Sequence, residues 1–480
     1  MKILKNYLYN VSYQLLAIVL PLITVPYISK VLGAEGVGRY SLTFANTQYF
    51  IIFGMIGLSL YGNRQIAYVR NNRRKLKETF FSIYTLQLIT TGTSLLIFFI
   101  YTYFFNSGDY RTLYLIQSVN IIAAMVDVSW LFMGLEEFKK TVIRNTLVKL
   151  ISLASIFIFV KDKNDLVMYA AIISGSTLLG NLSLWFYVPE KVGKKYIRPK
   201  NIKKHVKASM ALFIPQISIQ IYCLLDKTLL GMMTNTVEVG YYENTQKLYK
   251  VAITVATSIG TVMMPRIANI VAEGNMKKVK FYIKKSFFFV TLISVPLMFG
   301  LMAISKELCP WFFTSEFNGI ENLVVVYSVV IFLVSWSNVL GTQLLVPMNR
   351  TKEFTISVTC GAIVNLVLNI LVLKQFKSLG ACYTTVAAEI TVTAVQFWFV
   401  RKFISLRELV KPTLLFIPAG ICMYIAVRFI GSAMGAGIVT NIVQVIVGAV
   451  VYLGLVLIFY IPKNKQTVIN YSKSRGKRNN

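Results

Sequence analysis

The chain has 480 residues, of which 56% are hydrophobic and only 14% charged, against roughly a quarter charged in an ordinary soluble domain. Fifty Lys and Arg face 19 Asp and Glu, for a formal net charge of +31. Runs with no Asp, Glu, Lys or Arg at residues 6–29, 40–63, 79–108, 166–189 and 322–349 exclude a soluble fold, because a spanning helix needs about 20 such residues, and they exclude a transmembrane β-barrel, whose strands are about 10 residues long and alternate in polarity.

Taken along the chain, the first half predicts spanning helices at residues 8–30, 41–62, 80–105, 112–134, 141–160 and 166–189. The second half predicts them at 208–233, 241–265, 286–308, 321–347, 355–373 and 380–400, with a final pair at 412–430 and 437–461. Lys2 and Lys5 precede an apolar run that is too long for a signal-peptide core and has no A-x-A site after it, so an uncleaved first span is expected. The last pair is divided only by Arg428 and the glycine-rich stretch 431–437. Prolines at 21, 26, 215, 265 and 296 lie within or at the ends of spans and are expected to bend them.

Fourteen spans of roughly 20 residues each leave no segment for an extramembrane catalytic domain. No P-loop, G-x-S-x-G or H-E-x-x-H pattern is present. An enzyme, a cofactor and a metal site are therefore not expected. The five cysteines are scattered without a C-x-x-C pair and read as small buried apolar residues. His205 is the single histidine and lies in a strongly basic loop.

The loop charges assign the threading. Alternate loops, counted with both tails, hold 37 Lys and Arg, whereas the opposite set holds 6. Cytoplasmic loops carry the Lys/Arg excess, so both termini are expected in the cytoplasm of a multi-pass plasma-membrane protein. Most of the +31 is thus orientation signal and attraction to anionic lipid, and a nucleic-acid partner is not indicated.

An internal repeat follows. Val37-Gly38-Arg39-Tyr40 recurs as Val239-Gly240-Tyr241-Tyr242, and Arg64 recurs as Arg266, both at an offset of 202 residues; Trp185-Phe186 recurs as Trp398-Phe399. Each half holds an even number of spans, which makes the repeats parallel and suggests a substrate path at their interface. The expected organisation is an N-terminal lobe at 1–207, a C-terminal lobe at 208–411, a helix pair at 412–462 and a basic tail at 463–480.

Charges inside spans are costly, about 2.5–3.5 kcal/mol at the bilayer centre on insertion scales. Asp226, Lys227, Lys247, Asp127 and Glu389 carry that cost and are expected to face an aqueous cavity or a partner. Asp226 and Lys227 are adjacent, point about 100° apart on a helix and each need a partner elsewhere. Polar residues at helical spacing extend these faces: Gln216, Gln220 and Lys227; Asn244 and Lys247; Asn120 and Asp127; and Ser335, Asn338 and Thr342. The alternative for the uncharged positions is interhelical hydrogen bonding, worth roughly 0.6 kcal/mol each.

From Pro21 the sequence reads P-x(5)-Y-x(2)-K-x-L-G-x(2)-G-x-G-R-Y. Together with Gly57 to Arg64, Trp130 with Gly134 and Phe138, Leu225-Asp226-Lys227, Glu238 to Tyr242, Pro265-Arg266 and Gly380-Ala381 with Glu389, this resembles polysaccharide repeat-unit flippases (Wzx-like) of the multidrug/oligosaccharidyl-lipid/polysaccharide (MOP) exporter superfamily. The resemblance covers residues from about 10 to 400. It implies an all-α, MATE/MOP-like fold of fourteen helices, two six-helix lobes plus a terminal pair, working by alternating access. It implies an undecaprenyl-diphosphate-linked oligosaccharide as substrate, for capsule or O-antigen-type export, alongside glycosyltransferases and a polysaccharide polymerase. A cationic cavity for the diphosphate would draw on Lys30, Lys227, Lys247, Arg64 and Arg266, with Asp226, Asp127 and Glu389 as ion pairs or coupling sites. An ion-coupled multidrug antiporter and a lipid II-type flippase of the same superfamily are the alternatives.

Overall fold

The computed structural model describes residues 2–193 and 202–476, with side chains described over most of 20–458. All regular structure among them is helical. In chain order the helices are α1 (Lys2–Met55), α2 (Leu58–Val69), α3 (Arg73–Phe105), α4 (Gly108–Met125), α5 (Ser129–Gly134), α6 (Phe138–Phe159), α7 (Leu166–Ser183), α8 (Val188–Val192) and α9 (Ile202–Met233). They continue as α10 (Thr236–Ala272), α11 (Met276–Phe312), α12 (Ile320–Ser337), α13 (Thr351–Val400), α14 (Leu406–Val410), α15 (Phe416–Met434) and α16 (Ile438–Gly476). The chain divides into two compact units, one of Met1–Asn244 with Leu366–Ala381, the other of Thr245–Asn365 with Cys382–Asn480. The division falls inside α10 and α13.

Eleven segments among the described residues have the length and hydropathy to cross a membrane. Two of them, Leu20–Val69 and Thr351–Val400, are long enough to cross twice. Within them α1 is interrupted at Gly33 (φ 68°, ψ −177°) and α13 at Lys377 (φ 48°, ψ −132°), and the first segment turns again at Ile56 and Gly57 before α2. Gly33 reaches that conformation without steric cost because it has no Cβ. Lys377 does not, and an outlier of this kind costs about 1–3 kcal/mol unless its surroundings hold it. Pro21 and Pro26 sit inside α1 with no such break, so the turn between the first two predicted spans is made by glycine rather than proline. The final pair is likewise parted by Gly435 (φ 73°). Arg428 lies inside α15 and is not a divider.

The apolar faces that remain outward are what a bilayer requires. Leu96, Ile97, Ile100, Tyr103, Phe104 and Phe105 are exposed along α3, and Ile442, Val445, Ile446, Val450, Leu453 and Leu457 along α16. In water such patches would be an aggregation hazard. Cys422 belongs to these exposed positions, whereas Cys309 and Cys382 are buried.

In the first unit a core of Phe80, Trp130, Phe132 and Leu184, all fully buried, packs where α4 gives way to α5. That break exposes carbonyls, and Gln87 of α3 satisfies them. Its Nε2 donates to the carbonyls of Ala124 (2.8 Å) and Asp127 (2.9 Å), while its Oε1 accepts from Trp130 Nε1 (3.0 Å). In the second unit Phe287, Leu340, Leu344 and Val400 form the core. A π-helical stretch, Asn338–Leu345, continues α12 there. Its Gln343 accepts from Ser286 Oγ (2.5 Å) and donates to Asn338 Oδ1 (3.0 Å).

The C-terminal helices are fastened to α11 by charge. Glu307, 4% exposed, accepts from Arg428 Nη1 at 2.8 and 2.9 Å and from Gln444 Nε2 at 3.1 Å. Asn441 accepts from Trp311 Nε1 (2.6 Å) and donates to Gln444 Oε1 (2.8 Å).

Replacing Gln87 with Leu strands buried carbonyls and the Trp130 N–H, each costing about 1–3 kcal/mol. Gln87→Leu should lower the thermal midpoint of the purified protein, whereas Thr90→Ala, one turn from that junction, should leave it nearly unchanged.

Candidate functional site

In the first unit α9 passes close to both the start of α10 and the segment of α1 that follows Gly33. Asp226, 3% exposed, accepts from Tyr242 Oη at 2.5 Å and from Asn369 Nδ2 at 2.7 Å. Lys227 Nζ lies 2.5 Å from Glu243 Oε2, both side chains being more than four-fifths buried. Ser41 Oγ donates to the same carboxylate at 2.7 Å. The two adjacent charges therefore find separate partners, as their divergence on a helix requires. One turn of hydrogen bonds continues the cluster: Thr228 Oγ1 donates to Asn46 Oδ1 (3.1 Å), and Asn46 Nδ2 donates to Tyr114 Oη (2.8 Å).

The cluster is closed at one end by backbone alone. A Cβ on Gly38 would fall 1.7 Å from the carbonyl oxygen of Thr236, and a Cβ on Gly240 would fall 2.1 Å from that of Ala34. Ala34 and Thr236 are separated by the same repeat offset as Gly38 and Gly240, as are Ser41 and Glu243. The repeat seen in sequence thus meets itself across a local two-fold relation, in which each glycine receives the carbonyl of the other half. Beside it, Glu238 Oε2 accepts from Ser378 N (3.2 Å) and Ser378 Oγ (2.5 Å), and Lys377 Nζ stands 3.6 Å from Oε1. Glu238 thereby holds the strained turn of α13.

Not every expected residue joins this cluster. Lys30 is exposed on α1, three residues before Gly33, and Arg64 is exposed on α2. Asn244 is buried and donates to Ser29 Oγ at 2.9 Å. Among the described residues Asp127 forms no ion pair: its carboxylate accepts from Ser129 N (2.9 Å) and Ser129 Oγ (3.1 Å) at the start of α5. It lies just before α5, whose first N–H groups are free and are satisfied by a short acidic side chain. Asn120 is 7% exposed and donates to Gln117 Oε1 one turn back (2.7 Å), a contact within a helix rather than the wall of a cavity. Gln220 is exposed; the side chain of Gln216 lies outside the described residues. In the second unit Lys247 and Glu389 each have an interaction partner, and Asn338 is tied to Gln343. Arg266 is exposed and stacks on Tyr282 at 4.3 Å, to whose hydroxyl it also donates.

Three groups escaped the sequence reading. Glu243 belongs to no polar stripe; the signal for it was the repeat offset from Ser41. Arg144 was counted with a loop, and Lys149 was passed over within a span. Both line a cavity of about 350 Å³ between α1, α6 and α7. A second, apolar cavity of about 530 Å³ lies between α1 and α3, with Tyr49, Phe53, Ile89 and Ile97 on its walls.

His205, at the start of α9, places Nδ1 2.7 Å from Tyr61 Oη. Which of the two groups donates is set by the tautomer of the ring. Burial first, and Lys204 second, hold this imidazole below its ordinary value of 6.5.

Two outcomes check this geometry. Lys227→Glu should abolish function by leaving two buried carboxylates together, and Lys227→Glu with Glu243→Lys should restore it, read as complementation at matched protein level. For His205 the unfolded chain takes up its proton first, so its contribution is complete above pH 6.5 and is lost as pH falls below that value. Thermal midpoints of wild type and His205→Gln, compared between about pH 7.5 and 5.5, should diverge, with the wild type falling more steeply.

The comparisons with known proteins come to one place. Residues 3–271 match the family described as polysaccharide biosynthesis protein, and residues 211–371 match the MatE family. The Escherichia coli (strain K12) protein named "Putative O-antigen transporter" is 26% identical over 408 residues, covering 83% of this chain and 96% of its own. The lipid II flippase MurJ of Bacillus subtilis (strain 168) is 27% identical over 195 residues, 40% of this chain and 36% of its own. Among solved structures, an inward closed conformation of lipid II flippase MurJ superposes with a TM-score of 0.79 at 16% identity, covering 95% of this chain and 99% of that one. An inward-facing multidrug resistance MATE family transporter of the MOP superfamily superposes at 0.59 with 14% identity, over 80% and 97%. The chain is a multi-pass membrane protein with the fold of MOP-superfamily transporters, and it belongs to the polysaccharide biosynthesis protein family.

Proposed function

We propose that this protein is a flippase. It carries an undecaprenyl-diphosphate-linked oligosaccharide from the cytoplasmic to the outer leaflet of a bacterial plasma membrane, for export of a capsule or O-antigen-type polysaccharide. Near full-length likeness to a protein named as an O-antigen transporter supports the substrate class. The observation that carries the mechanism is the paired glycine crossing of Gly38 and Gly240 beside the Lys227–Glu243 ion pair. At that crossing the two copies of the repeat meet through main chain, so they can part there without pulling side chains out of an apolar core.

The threading follows the 37-to-6 split of basic loop residues: both termini cytoplasmic and the Gly38–Gly240 crossing on the outer side. Fourteen spans result if Leu20–Val69 and Thr351–Val400 each cross twice and α9 is added to the eleven segments. Two six-span lobes and a C-terminal pair follow from that count. Lys227 is the central cation. Lys30 and Arg64 are exposed on the same unit, and Arg266, the repeat counterpart of Arg64, is exposed on the other, where Lys247 already has an interaction partner. No chemistry is performed on the sugar, so the protein is not an enzyme.

Deleting the gene should remove surface polysaccharide and accumulate lipid-linked repeat units on the cytoplasmic leaflet. Intact polysaccharide with new sensitivity to cationic drugs would instead identify an antiporter. For the crossing, Ser41 is 3% exposed and serves as a reporter: in a cysteine-free background, Ser41→Cys should be poorly labelled by an impermeant maleimide from outside. Adding Gly38→Ala should raise that labelling several-fold. Unchanged labelling would rule out the crossing as an outer gate.

A further inference from the structure

The first turns of α11 carry an excess of positive charge that the helix itself does not favour. Lys277, Lys278, Lys280, Lys284 and Lys285 fall within residues 276–285, and the first turn holds no acidic residue. Cations near a helix N-terminus oppose the macrodipole. Lys277 and Lys280, and then Lys280 and Lys284, are like-charged neighbours at i, i+3 and i, i+4. Only Lys284 is answered from within, by Glu408 of α14. Among the described residues the other four reach no carboxylate, and all four are exposed. Every Asp and Glu side chain of the protein lies among those residues, so the missing counter-charge comes from outside.

The geometry of the helix says what kind of surface supplies it. Val279, Ile283, Phe287 and Val290 turn one face of α11 into the core of the second unit. The opposite face reads Lys277, Phe281, Lys285 and Phe289 at successive i, i+4 steps, all four exposed, with Lys278 beside the row. The Lys285 ammonium stands 4.5 Å from the centre of the Phe281 ring. Lys277 and Lys285 are about 12 Å apart along the axis, and residues 286–305 then run uncharged into the span. The row thus passes from charge to hydrocarbon at the place where headgroups give way to chains. The same unit repeats the pairing: Arg266 stacks on Tyr282 at 4.3 Å and Arg401 on the exposed Trp398 at 3.2 Å. Aromatic rings and long cationic side chains gather at membrane–water boundaries. An orientation signal needs Lys and Arg only somewhere in the loop; it does not need them interleaved with exposed phenylalanines on one helix face.

We propose that this face of α11 is a binding site for an anionic phospholipid of the surrounding bilayer. The phosphate lies among Lys277, Lys278 and Lys285, and an acyl chain follows Phe281 toward Phe289. The lipid supplies the charge that α11 lacks, so the second unit draws stability from the composition of its membrane. An acidic protein would satisfy the lysines but not the phenylalanines, which lead straight into the apolar stretch. The site is independent of what the protein carries.

The test titrates dioctanoyl phosphatidylglycerol, dioctanoyl phosphatidylcholine, glycerol phosphate and a polyglutamate peptide into full-length protein in neutral detergent, with bound ligand counted by native mass spectrometry. Phosphatidylglycerol should bind tightest and raise the thermal midpoint. Lys277→Gln with Lys278→Gln and Lys285→Gln should weaken it on the order of a hundredfold, about fivefold for each charge. The corresponding triple arginine variant should retain it. Phe281→Ser with Phe289→Ser, which keeps every charge, should weaken it as well. Arg73→Gln with Lys75→Gln and Lys77→Gln removes the same charge from α3 and should leave it nearly unchanged. Thermal midpoints without lipid identify any variant that is merely unfolded. An equal loss in the α3 variant overturns the site in favour of diffuse attraction, and unchanged affinity in the α11 glutamine variant overturns it outright. Equal binding of phosphatidylcholine or glycerol phosphate overturns it too, and tighter binding of polyglutamate replaces the lipid with an acidic protein.

Discussion

A charge held away from water must find its counter-charge inside the protein, and the pairing of Lys227 with Glu243 is where this chain meets that demand at its centre. Neither residue can be lost alone, because an unpartnered charge at that depth costs several kcal/mol. The pair also explains why α9, α10 and α1 gather as they do in the first unit. Ser41 of α1 donates to the carboxylate from one side while Lys227 of α9 approaches from another. Asp226 then turns away to Tyr242 and Asn369, which brings the middle of α13 into the same unit. The second unit solves the same problem with Glu307, Arg428 and Gln444, and there the solution fastens helices to one another.

Much of this was legible in the amino-acid sequence for a physical reason. Long uncharged runs and a one-sided distribution of Lys and Arg are imposed by the bilayer itself, so they survive in the primary structure without knowledge of packing. The need of Asp226 and Lys227 for separate partners follows from helix geometry alone. What the sequence hid was the identity of those partners. Glu243 sits next to Tyr242 and Asn244 in α10, and three consecutive polar residues point in three directions; only the packing of α9 decides which of them meets Lys227. Asp127 looked like a membrane charge because the break between α4 and α5 is not written in glycine or proline. Once the helix ends there, its carboxylate is an ordinary cap.

The helix breaks teach a similar lesson. Proline weakens a helix wherever it lies, yet Pro21 and Pro26 run through α1 without leaving helical geometry, and the chain turns at Gly33 and Lys377 instead. A turn that needs positive φ draws on glycine, or on a residue whose strain is held by neighbours. At Lys377 the neighbour is Glu238, which receives both the backbone N–H and the hydroxyl of Ser378. Arg144 was hidden differently. Its charge at the start of a span reads as anchoring, and only the hydrogen bond to Asn181 reveals that it packs against α7.

The crossing of Gly38 and Gly240 is made of peptide units, with no side chain taking part. Its closeness is therefore insensitive to which amino acids line the rest of the protein, provided those two positions stay bare. Side chains elsewhere are free to vary, while the crossing keeps the same geometry. The fold thus separates what fixes a contact from what can diversify around it: one is written in the main chain, the other in side chains.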